Sequence, residues 1–230
     1  MENNTYLCIA GKNNIAVKTI DYAIKIFDKR KILGVQNYAD TGEDGWQKSF
    51  LKKCCDEGIE CAHIHQLYNM DIVFLSLEFD RIIDPAKFKS KKLFNIHFSK
   101  LPKFRGMYTS TWPILNGEKE SGVTLHKIDS GIDTGDIIDQ ISFPINTEDT
   151  ARDLYMKYIK YGTMLVKENL INLLEGNFLA YPQPMEGATY YAKGSIKFNE
   201  INFRQTAEAI VNQIRAFTFE NISYQNLMTE

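Results

Sequence analysis

The segment DIVFLS at residues 71–76 decides the fold class, because an unbroken run of apolar residues fills its middle. A strand that covers only one face of a sheet alternates apolar and polar residues, whereas a continuous apolar run is typical of a parallel strand covered on both faces. Two similar runs, YLCIA at 6–10 and LFNIHF at 93–98, lie before and after it in the chain. Together the three runs predict the centre of a mainly parallel sheet.

Segments with helical spacing lie between these runs. Apolar residues recur every three or four positions over 15–27, and a second helix is expected over 46–57, where Gly58 ends it. Two weaker strand candidates, 31–35 and 61–64, complete the alternation. Strands that alternate with helices predict βαβ units with right-handed crossovers, so the expected fold class is α/β and Rossmann-like.

The second half of the chain breaks this alternation. Two strands are expected at 122–127 and 137–143, and a long amphipathic helix follows over 147–174. Thr147 or Asp149 is the expected N-cap of that helix, since both side chains can accept a hydrogen bond from the first turn. Gly176 is its expected end.

A linker marked by the turn residues of PQPMEG at 182–187 follows the long helix, and a last helix is expected over 203–217. We therefore predict a main domain at residues 1–180. Residues 181–230 are predicted to form a linker and a short C-terminal helical extension.

The composition excludes several classes of protein. The chain has 27 Lys and Arg residues against 29 Asp and Glu residues, which gives a formal net charge of −2, whereas nucleic-acid binders need clustered excess cations. No apolar run approaches the roughly 20 residues of a membrane helix, and the N-terminus lacks the features of a signal peptide. We therefore predict a cytoplasmic protein whose partners include neither a nucleic acid nor a membrane.

The four cysteines do not have the number or spacing of a disulfide framework. Cys54, Cys55 and Cys61 lie near His63 and His65 in the sequence, which raises the question of a zinc site. The usual spacings of zinc ligands are absent, so reduced thiols and no metal are expected.

The densest group of polar residues lies between residues 94 and 136. Asn95 and His97 are two positions apart on a predicted strand, so their side chains point to the same face. Asp133 lies in the acidic loop DSGIDTGD at 129–136. An amide donor, an imidazole and a carboxylate suit acyl-group chemistry, in which donors stabilise an oxyanion and the imidazole moves a proton. The structural alternative is a histidine that is only a hydrogen-bonded core residue.

The turn GKNN at residues 11–14 opens the first helix, and its amides could hold an anion. A plain turn is the equal alternative. The turn is not G-x-G-x-x-G, so a dinucleotide site is not expected.

The motif FNIHFSKLPKFRG at 94–106, followed by GVTLHKIDSGIDTGDII at 122–138, resembles the formyltransferases that use 10-formyltetrahydrofolate. The resemblance implies a formyltransferase catalytic domain over residues 1–180. It also implies that Asn95, His97 and Asp133 are the catalytic trio, and that 10-formyltetrahydrofolate is the formyl donor.

A third segment, FDRIIDP at 79–85, resembles the part of these enzymes whose backbone holds the pterin ring. The resemblance therefore implies folate contacts at four residues: Phe79, Arg81, Ile83 and Asp129. Arg105 and Lys12 are assigned to binding of the acceptor substrate.

The segments GATYYAK at 187–193 and QIRAF at 213–217 resemble the section that follows the catalytic domain in methionyl-tRNA and sugar formyltransferases. Glycinamide ribonucleotide formyltransferases normally stop before such a section. Methionyl-tRNA formyltransferases carry a further barrel that helps hold tRNA, and the sequence leaves no room for one after Phe217. The resemblance therefore favours a sugar N-formyltransferase.

The expected acceptor is a nucleotide-linked amino sugar, dTDP-4-amino-4,6-dideoxyglucose, made for a surface polysaccharide such as the lipopolysaccharide O-antigen. Two alternatives are a methionyl-tRNA formyltransferase-like enzyme without the tRNA-binding domain and a non-catalytic folate-binding relative. A hydrolase that releases formate from the same folate is a third.

The last predicted helix carries apolar residues along one side, and Phe217, Phe219 and Ile222 follow at its end. An open apolar patch of this size exceeds what monomers usually expose. A homodimer that buries the patch symmetrically is therefore expected.

Overall fold

The structure, a computed structural model, describes residues 5–196, 200–201 and 203–219. Seven strands form the main sheet in the order β3-β2-β1-β4-β5-β7-β8, and two short strands pair separately. The strands are β1 (Tyr6–Gly11), β2 (Ile32–Gln36), β3 (Glu60–Cys61), β4 (Ile72–Leu77), β5 (Leu93–His97), β6 (Arg105–Gly106), β7 (Glu120–Lys127), β8 (Ile137–Pro144) and β9 (Tyr190–Tyr191). The first five strands of the main sheet are parallel and the last two are antiparallel, which confirms the predicted α/β fold.

Helices cover the sheet at the positions that the apolar spacing predicts. They are α1 (Asn13–Ile26), α2 (Phe50–Glu57), α3 (Trp112–Leu115), α4 (Ala151–Glu175) and α5 (Ala207–Phe217), with 3-10 turns at Lys29–Lys31, Ile64–Leu67 and Pro85–Lys87. Helices α1, α2 and α4 pack on the larger hydrophobic core, and a smaller core lies on the opposite face of the sheet. The middle of DIVFLS is fully buried between the two, as a parallel strand requires.

The ends of four predicted elements need correction. Helix α2 begins at Phe50, not at residue 46, because Ser49 caps it and the buried Asp40 accepts hydrogen bonds from the Phe50 and Leu51 amides. Thr206 caps α5, which therefore begins at Ala207 and not at residue 203. The strand expected over 61–64 is only β3, and a 3-10 turn follows it.

The N-cap of the long helix α4 is Thr150, neither Thr147 nor Asp149. The Thr150 hydroxyl accepts from the Asp153 amide while the Asp153 carboxylate accepts from the Thr150 amide, which forms a reciprocal capping box. Asp149 instead accepts from the Asn146 amide and pairs with Lys157. Gly176 ends the helix in the left-handed conformation, as predicted.

The carboxyl ends of β1, β4 and β5 meet at one edge of the sheet, where ligands of open α/β sheets bind. The approach of β1 to β4 there is so close that a Cβ at Gly11 would lie 2.0 Å from the Leu77 carbonyl oxygen. Only glycine fits this position, so the turn after β1 is fixed against the end of β4.

Among the described residues, none of the helices combines the length and apolar character of a membrane span. The four cysteines are free thiols. Within the same part of the chain, three or more His, Cys, Asp or Glu side chains are nowhere grouped so that they could hold a metal ion.

Candidate active site

Asn95, His97 and Asp133 meet at the carboxyl end of β5. Asn95 and His97 lie on that strand, and the loop between β7 and β8 brings Asp133 over them. The Asp133 Oδ1 atom is 3.4 Å from the Asn95 Nδ2 atom and 3.4 Å from the His97 Nδ1 atom. Asp133 is therefore within direct reach of both Asn95 and His97.

A fourth residue, His126, joins this group because β7 runs antiparallel to β5 and places His126 opposite Asn95. The Nδ1 atom of His126 is 2.7 Å from the Lys127 carbonyl oxygen, so Nδ1 carries the ring proton and donates it. The unprotonated Nε2 atom then accepts from the Asn95 amide at 3.1 Å. This chain of hydrogen bonds fixes the orientation of the Asn95 side chain, with its NH₂ group toward His126 and Asp133.

The sequence places His126 in the motif at 122–138, but the motif alone assigned it no role. A histidine on a strand adjacent to Asn95 is informative only when the strand register is known. The register of β5 against β7 supplies that information.

His97 lies between two hydrogen-bond acceptors. Its Nε2 atom is 2.8 Å from the Phe104 carbonyl oxygen, and its Nδ1 atom faces the Asp133 carboxylate. A neutral imidazole has one N–H, which Phe104 takes, so Nδ1 presents a lone pair to the site. Burial lowers the pKa of His97 despite the nearby carboxylate, so the ring is neutral at neutral pH and ready to accept a proton.

Asp133 remains ionised. Burial by itself would raise the pKa of its carboxyl, but the attraction to the charged forms of His97 and His126 and the hydrogen bond from the Gly106 amide hold that pKa well below its usual range. The Gly106 N–H donates to Oδ2 at 2.9 Å. A proton accepted by His97 would therefore form an ion pair with Asp133, which compensates for the cost of charging a buried ring.

The loop that carries Asp133 is held by a residue from the predicted linker, Gln183. Its Nε2 atom donates to the carbonyl oxygens of Asp133 and Gly135, both at 2.8 Å. Its Oε1 atom accepts from the Arg105 guanidinium at 2.7 and 3.1 Å. Asp133 has a φ of +54°, which is costly for a residue other than glycine, and these contacts hold it there.

The segment after residue 180 also fixes the other side of the site. Strand β9 pairs with β6, and Thr189 accepts from the Phe104 and Arg105 amides. The Phe104 carbonyl and the Gly106 amide, which contact His97 and Asp133, are therefore positioned from the predicted extension. The boundary at residue 180 stays a prediction, but side chains beyond it shape the site.

Two cavities share Asn95 and Phe79 in their linings. The first is lined by Phe79, Arg81, Ile83 and Asp129, together with Asn95 and Asp133. The second is lined by Lys12, Glu78, Asn95 and His97, among others. Reactants in the two cavities would meet at the Asn95 amide.

The residues assigned to folate and substrate binding differ in the contacts that their side chains already make within the protein. The Arg81 guanidinium stacks over the Tyr38 and Phe79 rings and donates to the Gln36 carbonyl oxygen. Asp129 accepts from the Gly131 amide and the Thr134 hydroxyl, so it also shapes the acidic loop. Arg105 is held by Gln183, and its contact with substrate stays a prediction.

Comparisons with known proteins identify a family for this chain. The sequence model of the formyl transferase family, described as "Formyl transferase", matches residues 47–169. A methionyl-tRNA formyltransferase of Synechococcus sp. (strain JA-3-3Ab) is 36% identical over 148 residues, which are 64% of this chain and 46% of that protein. The chain thus spans about half the length of the curated relatives it matches.

Solved structures extend the similarity over most of the chain. An N-formyltransferase from Helicobacter canadensis, solved with folinic acid and dTDP-3-aminofucose, is 49% identical with a TM-score of 0.91, covering 93% of this chain and 80% of that one. The sugar 3N-formyl transferase WlaRD, solved in the presence of dTDP and 5-N-formyl-THF, is 48% identical with a TM-score of 0.91, covering 94% and 80%.

Proposed function

The chain belongs to the formyl transferase family, and we propose that it transfers a formyl group from 10-formyltetrahydrofolate to the amino group of a dTDP-linked amino sugar. The observation that carries this proposal is the position of Asn95 between two cavities, with His97 and Asp133 beside it. Transfer of an acyl group needs a donor site and an acceptor site that meet at such a group of residues.

The first cavity fits the folate. Phe79, Ile83 and Ile128 supply apolar walls for a flat ring system, and the Ser76 hydroxyl adds a polar atom. The folate supplies the activated formyl group, bound to nitrogen. Asp133 closes this cavity next to Asn95, so the formyl carbon would lie beside the second cavity.

In this mechanism the acceptor amine attacks the formyl carbon, a C–N bond forms, and the formyl oxygen gains negative charge. The Asn95 N–H donates to that oxygen, with its orientation fixed by His126. His97 accepts the proton that the amine loses, at Nδ1, and Asp133 stabilises the resulting imidazolium. The bond to the folate nitrogen then breaks, and that nitrogen takes up a proton.

The identity of the amine is chosen on the similarity to solved structures. The two relatives at 48% and 49% identity are described with a 3-amino sugar or as a sugar 3N-formyl transferase. We therefore propose a dTDP-linked 3-amino-dideoxyhexose as the acceptor, with the 4-amino isomer expected from the sequence as the alternative. A cytoplasmic location and a product destined for a surface polysaccharide remain part of the proposal.

A single assay tests the function. The protein is incubated with 10-formyltetrahydrofolate and, separately, with dTDP-3-amino and dTDP-4-amino sugars, glycinamide ribonucleotide and methionyl-tRNA, and formylation is read by mass. We expect product with a dTDP-amino sugar, and faster with the 3-amino compounds. Formylation of methionyl-tRNA alone would support the tRNA enzyme and contradict the proposal.

We further propose that the protein is a homodimer that uses the outer face of α5. Val211 and Ile214 on that helix are 50% and 48% exposed, and Phe203 before it is 77% exposed. Ile222, which the sequence also assigned to this patch, lies outside the described residues. Sedimentation at micromolar concentration tests the idea, and a species of 26.5 kDa, the mass of one chain, would contradict it.

A further inference from the structure

The second cavity contains a carboxylate for which the mechanism has no use. Glu78 lies one residue beyond β4 and lines the cavity together with Asn95 and His97. Its φ is +56°, a left-handed conformation that residues other than glycine adopt only when their surroundings hold them. Asn37 provides this support, because its Nδ2 atom donates to the Glu78 carbonyl oxygen at 2.8 Å.

The hydrogen bonds of the Glu78 carboxylate leave part of its capacity unused. The Tyr155 hydroxyl is 2.9 Å from both carboxylate oxygens, and the Asn13 Nδ2 atom is 3.2 Å from Oε2. A hydroxyl has one proton, so Tyr155 can serve only one oxygen at a time, whereas a carboxylate has about four acceptor sites. A half-buried carboxylate with vacant acceptor sites can accept further hydrogen bonds from a molecule in the cavity.

The other carboxylates in and beside the cavity already have partners within the protein. The Asp80 carboxylate accepts from the Tyr38 amide and lies 3.7 Å from Arg81. Asp133 is directed at His97 and Gly106. Burial raises the pKa of the Glu78 carboxyl. The positive charge of Lys12, which lies just before α1, acts in the opposite direction. A cation that entered the cavity would therefore find its strongest acceptor at Glu78.

We propose that Glu78 binds and orients the acceptor by accepting hydrogen bonds from its amino group in the ammonium form. This inference rests on the proposed function. Aliphatic amines are largely protonated at neutral pH, so the acceptor arrives as a cation with three N–H donors. Contact with Glu78 holds that nitrogen in the cavity that contains Asn95 and His97. The ammonium releases one proton to solvent, the neutral amine attacks, and His97 accepts the second proton as the C–N bond forms.

The proposal gives the site a means of selection. A sugar with a hydroxyl in place of the amine offers one neutral donor and no charge, so a buried carboxylate binds it less well. Glu78 would therefore distinguish amino sugars from the far more common hydroxyl sugars before any chemistry occurs.

The test compares Glu78→Gln with a matched variant of an exposed acidic residue outside both cavities, Glu175→Gln at the end of α4. Steady-state rates are measured with 10-formyltetrahydrofolate and the dTDP-amino sugar, and dTDP-fucose, which carries a hydroxyl, is added as a competing ligand. We expect Glu78→Gln to raise KM for the amino sugar about 10- to 100-fold, as loss of a hydrogen bond to a charged group does. Binding of dTDP-fucose and KM for the folate should change little, and Glu175→Gln should resemble the wild type.

The possible outcomes separate this inference from the proposed function. If the wild type formylates no amino sugar, both the proposed function and the inference about Glu78 are wrong. If the wild type is active and Glu78→Gln keeps its KM, or weakens dTDP-fucose by the same factor, the ammonium contact is wrong and the function stands. Folding of each variant is checked by its melting temperature and its binding of folinic acid. Should Glu78→Gln fail to fold, Glu78→Asp keeps the charge but shortens its reach, and an unchanged KM in that variant counts against the proposal.

Discussion

Replacing Gln183 by leucine gives the sharpest test of how the site is assembled. Gln183 makes no contact with the side chains of Asn95 or His97 among its hydrogen bonds, yet it links Arg105 to the backbone of the loop that carries Asp133. Leucine has a similar size and no hydrogen-bonding groups. The substitution therefore removes the four hydrogen bonds and leaves the space filled.

The size of the effect follows from those bonds. Two bonds between neutral groups contribute about 0.5–1.5 kcal/mol each, and the contact with a guanidinium contributes about 1.5–3 kcal/mol. Water can replace part of these hydrogen bonds because Gln183 is only partly buried. The substitution should therefore remove about 2–3 kcal/mol of the free energy that holds the Asp133 loop in its observed position. Each 1.4 kcal/mol is a factor of ten in population, which predicts a fall in kcat of about 30- to 140-fold.

Formylation of the dTDP-amino sugar at saturating substrate measures kcat, and thermal unfolding measures stability. Gln205→Leu is the matched control, because Gln205 bonds to Gln213 within the extension and not to the loop. We expect Gln205→Leu to keep its kcat and Gln183→Leu to lose most of it while remaining folded. A Gln183→Leu protein with wild-type kcat would show that Asp133 does not depend on this link.

Four further predictions concern the site. Asn95→Ala removes the donor to the developing oxyanion and should lower kcat about 100- to 1000-fold with little change in binding of the nucleotide sugar; near-normal turnover would exclude Asn95 from the mechanism. Because burial lowers the pKa of His97 and the ring acts as a neutral base, kcat should fall as the pH drops through that lowered pKa, below the ordinary value of 6.5. In Asp133→Asn the imidazolium loses its counter-charge, so this acid limb of the pH–rate profile should move to still lower pH and the plateau should fall; an unmoved limb would separate the two residues. Arg81→Ala should leave folate affinity nearly unchanged, since the guanidinium already stacks on Tyr38 and Phe79, and a large loss in a folate titration would mean that the guanidinium itself binds the donor.

Much of the fold is determined by the sequence alone, because the signals for it are local. Unbroken apolar runs predicted the parallel strands, and three- to four-residue spacing predicted the helices between them. Gly176 ended α4 as expected, since the left-handed conformation at a helix end depends on the residue itself. The starts of helices were less accurate, because a capping residue such as Thr150 is chosen from several candidates by its reciprocal bond with Asp153.

The candidate trio was also predicted from the sequence, through the two-residue spacing of Asn95 and His97 and through the resemblance of two motifs to one family. Their meeting with Asp133 was an expectation that depended on the loop between β7 and β8. Its geometry requires glycine at 135, where a Cβ would lie 1.9 Å from the Lys127 carbonyl oxygen.

The tertiary structure alone decided which further residues complete the site. His126 faces Asn95 because of the register between two antiparallel strands, and Gln183 reaches Asp133 from a linker 50 positions away in the chain. Glu78 lines the second cavity because Asn37, Asn13 and Tyr155 hold it there. Hydrogen bonds between distant segments leave no periodic signal in a sequence, since each partner is an ordinary polar residue until the fold brings the two together.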